Sequence, residues 1–166
     1  MTAVWTPPRT WNVGELVTAG LLNTHLRDNL EFLYFGNYQI ISGGLGQNIT
    51  STTFATVPGW NVTITPSSAT AKWLFIFTAQ WQHSAANGAL LLDLHDSVVG
   101  GRLGGTSLGL YRDHSFATNV AKTATMVALA SVSSARTITL QAATNTGTLG
   151  LGLALPALLL AIELVR

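Results

Sequence analysis

Residues 49–166 contain a succession of short β-rich runs, and this pattern restricts the possible folds more than any other feature of the sequence. Most of these runs are rich in β-branched, aromatic or leucine residues, and turn signals such as Pro58-Gly59 and Asn87-Gly88 separate the runs. Short strands separated by turns are typical of an antiparallel β sandwich or barrel. The predicted strands are residues 53–57, 61–65, 72–83, 89–99, 109–112, 120–132, 137–144 and 158–165.

Two stretches are informative about burial: in residues 73–82, within the predicted strand 72–83, both faces begin apolar, and in residues 157–164, at the last predicted strand, both faces are largely apolar. Successive side chains of a strand point to opposite faces, and the core of a sandwich covers only one of them. We therefore expect another copy of the chain to cover the second face. The residues that we assign to this interface between copies are Trp73, Phe75, Phe77, Trp81, Leu159 and Ala161.

The composition indicates either a membrane-embedded chain or a surface that other protein largely covers. Hydrophobic residues make up 48% of the chain and charged residues only 9%. In a typical soluble domain, charged residues make up about a quarter of all residues. The formal net charge is +1 with no basic cluster, so we expect no nucleic-acid partner, because phosphate binding needs grouped cations. The chain has no cysteine, which excludes disulfides and thiolate metal sites.

Residues 18–34 are predicted to form the one convincing helix. Thr18 is a suitable N-cap, because its hydroxyl can accept a hydrogen bond from a free N–H of the first turn. Leucines then recur at helical spacing and line one stripe of an amphipathic helix that needs a surface to pack against. These helix-packing residues are Leu22, Leu26, Leu30 and Leu33.

The segments on either side of the helix show no periodicity. Residues 1–17 are predicted to be an extended arm that binds a partner through Trp5, Pro7, Pro8 and Trp11, because prolines stiffen an extended path and tryptophans often anchor interfaces. A disordered tail is the alternative. Residues 35–48 are predicted to be a glycine-rich linker. Its glycines resemble a phosphate-binding loop only superficially, since the Lys and Ser/Thr of that motif are missing.

Residues 11–33, WNVGELVTAGLLNTHLRDNLEFL, resemble the N-terminal segment of many structural proteins of tailed bacteriophages. In those proteins a Trp and a Gly-Glu pair precede a helix that carries Thr-Ala, Leu-Asn and Leu-Arg-Asp-Asn-Leu, and all of these occur here in the same order. The resemblance implies a virion protein.

The order of the predicted strands resembles a second family, the trimeric jelly roll of tumour-necrosis-factor-like and C1q-like domains. The runs KWLFIFTAQW, LLLDLHD, TATMVALASV, RTITLQA and PALLLAIEL are similar to successive strands of that fold. This resemblance implies a mainly β, antiparallel jelly-roll sandwich that assembles as a homotrimer, with aromatic and small apolar residues at the three-fold axis.

A membrane span at residues 149–165, LGLGLALPALLLAIELV, is the main alternative for the C-terminus. Its length is at the lower limit for crossing a bilayer. Pro156 would interrupt a helix, and Glu163 would lie near its end. Because the alternation after Pro156 suits a buried strand better, we expect no membrane partner.

Convergent chemical groups are scarce in the sequence. Asp93 and His95 lie on one strand face, but two ligands do not complete a metal site. Three copies around an axis could supply more ligands; a solvated strand end is the interpretation we prefer. We therefore expect no catalytic residues, no metal and no cofactor, and predict that the protein is not an enzyme.

The sequence as a whole predicts a structural virion protein with an arm (1–17), a helix (18–34), a linker (35–48) and a β jelly-roll domain (49–166). The preferred role is a trimeric head decoration protein that lies on the outer surface of the capsid and binds the major capsid protein through its arm. One alternative is a tail, fibre or baseplate component with receptor-binding loops. Another is a secreted C1q-like binding module, which the lack of a signal-peptide pattern at the N-terminus disfavours.

Overall fold

The computed structural model describes residues 6–7, 9–10, 12–30, 37–104, 109–152 and 155–164. The predicted helix begins as expected: α1 spans Ala19–Leu22, and the Thr18 hydroxyl accepts a hydrogen bond of 3.3 Å from the backbone N–H of Leu21. The helix continues as a π-helical stretch, Asn23–Arg27, and is α-helical again over residues 28–30. Residues 31–34 of the predicted helix, Leu33 among them, lie outside the described residues.

Eleven strands follow in the described part of the chain. They are β1 (Tyr38–Gly43), β2 (Gln47–Ile49), β3 (Ala55–Ile64), β4 (Ala71–His83), β5 (Ala89–Asp96), β6 (Gly101–Arg102), β7 (Tyr111–His114), β8 (Lys122–Val132), β9 (Arg136–Thr144), β10 (Leu149–Leu151) and β11 (Ala157–Leu164). The predicted strands are recovered with shifted ends, whereas β1, β2, β6 and β10 were not predicted. The prediction of a linker over residues 35–48 is wrong, because that stretch contains β1 and most of β2.

The two predicted strands 53–57 and 61–65 are a single strand, β3. Its pairing with β9 shifts register between Thr56 and Asn61. Gly59 adopts a φ of 77° at this point, a conformation that glycine accepts without steric cost. Pro58-Gly59 therefore bends the strand at an irregularity in its pairing instead of ending it.

The strands form two antiparallel sheets. In the first sheet β4 is central, with β8 on one side and β10 and β11 on the other, while β1 pairs with β11 and β2 with β10. The second sheet has the order β3-β9-β5, and β5 also pairs with β6 and β7. The pairs β1–β11, β3–β9, β4–β8 and β5–β7 are nested along the chain, as in a jelly roll. The predicted fold class, an antiparallel jelly-roll sandwich, is confirmed.

The core lies between the inner faces of the two sheets. Along β4 buried and partly exposed residues alternate without a break, as expected of a strand that covers a core with one face. Phe77 packs edge to face against Trp60 of β3, with ring centroids 6.0 Å apart. The second sheet contributes aliphatic side chains from β5 and β9, namely Leu90, Leu92, Leu94, Ile138 and Leu140.

The C-terminal strand is held in place by a buried carboxylate. Glu163 is 5% exposed, and its carboxylate accepts hydrogen bonds from the Asn37 side-chain amide at 2.5 Å and the Ser67 backbone N–H at 2.9 Å. These contacts join β11 to the residue before β1 and to the turn after β3. Residues 149–165 thus supply β10 and β11, and no helix within the described ranges is long and apolar enough to cross a membrane.

Candidate functional site

The six side chains that we assigned to an interface between copies lie in the core of the chain itself. Trp73, Phe75 and Phe77 of β4 are completely buried, as are Leu159 and Ala161 of β11, and Trp81 is nearly so. Because the second sheet of the same chain covers these side chains, they have no surface to offer a neighbouring subunit. The assignment is therefore corrected: the large aromatic side chains occupy the intramolecular face, where their burial stabilises the fold most.

Apolar side chains remain at the surface on the opposite face of the first sheet. The strand registers align one residue from each of β1, β11, β4 and β8 in the five cross-strand rows that start at residues 38–42 of β1. Two adjacent rows are entirely apolar, and we call their eight residues the apolar grid. The first row is Tyr38, Ile162, Leu74 and Leu129, and the second row is Ile40, Leu160, Ile76 and Val127.

On β4 and β8, polar side chains occupy the rows on either side of the apolar grid, whereas β11 carries Leu158 and Leu164 in those rows. The next row on one side contains Thr78 and Thr125, whose hydroxyl oxygens are 3.3 Å apart, and the row on the other side contains Lys72 and Ser131. On the outer strands β1 and β8, the four grid residues are between 50% and 59% exposed. A contiguous apolar surface with a polar rim is typical of a protein–protein interface.

The N-terminal segment packs against the helix through one asparagine that the sequence analysis did not single out. Asn29 is buried, its Oδ1 accepts from the Thr6 backbone N–H at 2.9 Å, and its Nδ2 donates to the Thr6 carbonyl at 2.8 Å. Arg9 and Glu15 form an ion pair in the same segment. Pro7 is exposed, while Trp5, Pro8 and Trp11 lie outside the described residues.

The leucine stripe of the helix stays exposed in the described part of the chain. Leu22, Leu26 and Leu30 are each about half exposed, so the described part of the chain does not bury them. A partner surface for the stripe remains a prediction. The π-helical stretch has more residues per turn than an α-helix, which keeps side chains spaced by four residues more nearly in line.

We expect Asn29→Ala to release the N-terminal segment from the helix. The variant leaves both backbone groups of Thr6 without their partner, and one hydrogen bond contributes about 1 kcal/mol. The Thr6 amide should then exchange with deuterium about five-fold faster, as measured by hydrogen-exchange NMR. Asn23→Ala, at an exposed position of the same helix, is the matched control. Unchanged exchange in Asn29→Ala would contradict the assigned contact.

Asp93 and His95 share the outward face of β5, as predicted, but their environments differ. Asp93 is completely buried, so the interpretation of a solvated strand end is wrong for this residue. Its Oδ1 accepts hydrogen bonds from the backbone N–H groups of Leu94 at 2.7 Å and Gly104 at 3.0 Å. Its Oδ2 lies 3.9 Å from Nη1 of Arg102. In the portion of the chain that the structure describes, no cluster of three His, Asp or Glu residues could hold a metal ion.

A second buried carboxylate, Asp96, forms an ion pair that the sequence did not reveal. Its Oδ2 accepts from Nη1 of Arg136 at 2.7 Å, and its Oδ1 accepts from the backbone N–H groups of Val98 and Val99. Burial raises the pKa of Asp96, but the Arg136 hydrogen bond and the two N–H groups outweigh this effect and leave the pKa below its ordinary value. The carboxyl is therefore held in its charged form.

Comparisons with known proteins yielded structural likenesses only. No family model matches the sequence, and no curated protein does. Eiger TNF from S. frugiperda is similar at 10% identity, with 78% of this chain and 94% of that chain covered and a TM-score of 0.49. The infectious bursal disease virus VP2 subviral particle is similar at 11% identity, with a TM-score of 0.43 over 78% of this chain and 38% of that chain. PorU from Porphyromonas gingivalis is similar at 15% identity over 13% of its chain, with a TM-score of 0.37.

Proposed function

We propose that this protein is a structural virion protein, a head decoration protein that assembles as a homotrimer and binds the major capsid protein on the outer surface of the capsid. The apolar grid is the observation that carries the proposal. Eight apolar side chains on one exposed sheet face need a protein cover, and a second and third copy of the same chain supply it with closed symmetry.

The scarcity of charge supports the same conclusion. Charged residues make up 9% of the chain, whereas they make up about a quarter of the residues of a typical soluble domain. A lattice protein whose surface is largely covered by neighbours has less need of charge to stay dispersed. The resemblance of residues 11–33 to phage structural proteins supports a virion as the place where those neighbours are found.

Attachment is assigned to the N-terminal segment. It contains the predicted anchors Trp5 and Trp11. The exposed leucines of the helix follow them in the sequence, beginning at Leu22. Three segments per trimer would bind neighbouring capsid subunits together, so that each contact raises the effective concentration of the others. Contacts that are individually weak would then together bind the trimer tightly to the capsid.

Light scattering and co-sedimentation test the two parts of the proposal separately. Purified protein should have about three chain masses, and a stable monomer at micromolar concentration would contradict the trimer.

A variant that lacks residues 1–17 should remain a folded trimer but no longer sediment with undecorated capsids. Trp5→Ala and Trp11→Ala should each weaken binding by about 2 kcal/mol per segment if they are hot spots.

Equal binding by the full-length and truncated proteins would assign the capsid contact to the jelly roll. Binding of both to purified tails, and of neither to capsids, would favour the alternative role as a tail, fibre or baseplate component.

A further inference from the structure

The outward face of the second sheet differs from the apolar grid in its chemistry. It carries an open depression of about 540 Å³, lined among others by Thr52, Phe54, His95, Arg102 and Gln141. The side chains of β5 and β9 that line it alternate with core residues of the same strands. The depression therefore lies on the side of the sandwich away from the grid, and assembly through the grid leaves it open.

One wall of the depression is fixed by contacts within the chain. The guanidinium carbon of Arg102 lies 4.0 Å from the ring centroid of Phe54, a stacked arrangement that limits the rotamers of both side chains. Phe54 in turn packs on a small apolar cluster of Ala89, Leu91 and Ala143. The wall is thus largely formed before any ligand arrives, which lowers the entropic cost of binding.

The remaining polar groups of the depression have unused hydrogen-bonding capacity. The side chains of Thr52, His95 and Gln141 make no hydrogen bond to other described residues, although those of His95 and Gln141 are half-buried. Together they offer a hydroxyl, an imidazole and an amide around one hollow. A few convergent polar groups beside an aromatic side chain are typical of a small-molecule site.

The fixed charges at the depression compensate each other. Arg102 is the cation in the wall, and the buried carboxylate of Asp93 lies 3.9 Å from its Nη1. An anionic ligand would therefore compete with a carboxylate that the Leu94 and Gly104 N–H groups already hold in place. The site is better matched to a neutral ligand that is rich in hydroxyl groups.

We propose that this depression binds a neutral saccharide, with Gln141, His95 and Thr52 as hydrogen-bonding partners and the Arg102–Phe54 stack as the wall beside the sugar ring. The volume falls in the range of ordinary ligand sites. No local sequence pattern marks this site, because its residues come from three separate segments of the chain.

Titration of isotope-labelled, full-length protein by NMR tests the proposal. The probes are the methyl glycosides of glucose, galactose, mannose, rhamnose and N-acetylglucosamine, with N-acetylneuraminic acid as the anionic comparison. At least one neutral sugar should shift the amide signals of His95, Arg102 and Gln141. Dextran and chitin oligosaccharides, compared with their monosaccharides, show whether a free sugar or a polysaccharide chain is the preferred form.

Substitutions locate the binding. Gln141→Ala should raise the Kd about ten-fold, because the amide offers both a donor and an acceptor. Arg102→Met, which removes the guanidinium stacked on Phe54, should also raise the Kd. Arg112→Met, which removes an exposed cation of β7 on the same sheet and outside the depression, is its matched control and should leave the Kd unchanged. Binding by none of the neutral sugars, tighter binding of N-acetylneuraminic acid, or an unchanged Kd in Gln141→Ala would each overturn the proposal.

Discussion

Arg136→Met is expected to lower the free energy of unfolding by about 3–5 kcal/mol, the typical cost of removing one partner of a buried ion pair. Arg136 and Asp96 are 2.7 Å apart, and both side chains are almost fully buried. Without the guanidinium, the carboxylate of Asp96 stays buried with only the Val98 and Val99 N–H groups as partners. Urea unfolding followed by circular dichroism, at one fixed protein concentration, measures the loss.

Arg112→Met serves as the control, because Arg112 is an exposed arginine of the second sheet. It should change the free energy of unfolding by less than about 0.5 kcal/mol. The Arg136→Met/Asp96→Asn double variant should lose less than the sum of the two single variants, since no unpaired charge remains buried. A strictly additive loss would show that the pair does not act as a unit.

The same ion pair predicts how stability depends on pH. The pKa of Asp96 is lower in the folded chain than the ordinary value of 3.8. Its stabilising contribution is therefore complete above about pH 4 and is lost as the pH falls through the folded-state pKa, because the unfolded chain then binds the proton more readily. Arg136→Met should weaken this acid dependence, and an identical slope in wild type and variant would contradict its assignment to Asp96.

The Val127→Lys/Leu129→Lys double variant is expected to convert the proposed trimer into a folded monomer. Val127 and Leu129 are 57% and 59% exposed in the single chain, so two lysines at these positions cost the isolated fold little. In an assembly they would place two desolvated charges in an apolar contact, which costs several kcal/mol per subunit. Light scattering should give one chain mass, with the circular dichroism spectrum unchanged.

Thr123→Lys provides the matched control on the same strand. Thr123 is exposed and lies on the same face of β8 as Val127, but outside the apolar grid. It should leave the trimer intact. If the double variant remained trimeric, the contact between copies would lie elsewhere on the chain; if the control also dissociated, charge on β8 in general would be the cause.

The positions of most of the strands could be predicted because they depend on local chemistry. The β-rich runs and the turn pairs between them located seven of the eleven described strands, and hydroxyl chemistry located the N-cap at Thr18. The short strands β2, β6 and β10 have only two or three residues each. They are defined by their pairing with neighbouring strands, and a run that short has no periodicity of its own to detect.

The sequence of residues 73–82 and 157–164 by itself determined that apolar side chains lie on both faces of these strands. Only the tertiary structure decided which face is internal, because alternation has a period of two and does not distinguish inside from outside. The second sheet covers the face that carries Trp73 and Phe75, and the face with Leu74 and Ile76 is left at the surface. The partners of buried charges, such as Arg136 for Asp96 and Arg102 for Asp93, were likewise decided by packing, since they join residues that only the folding of the chain brings together.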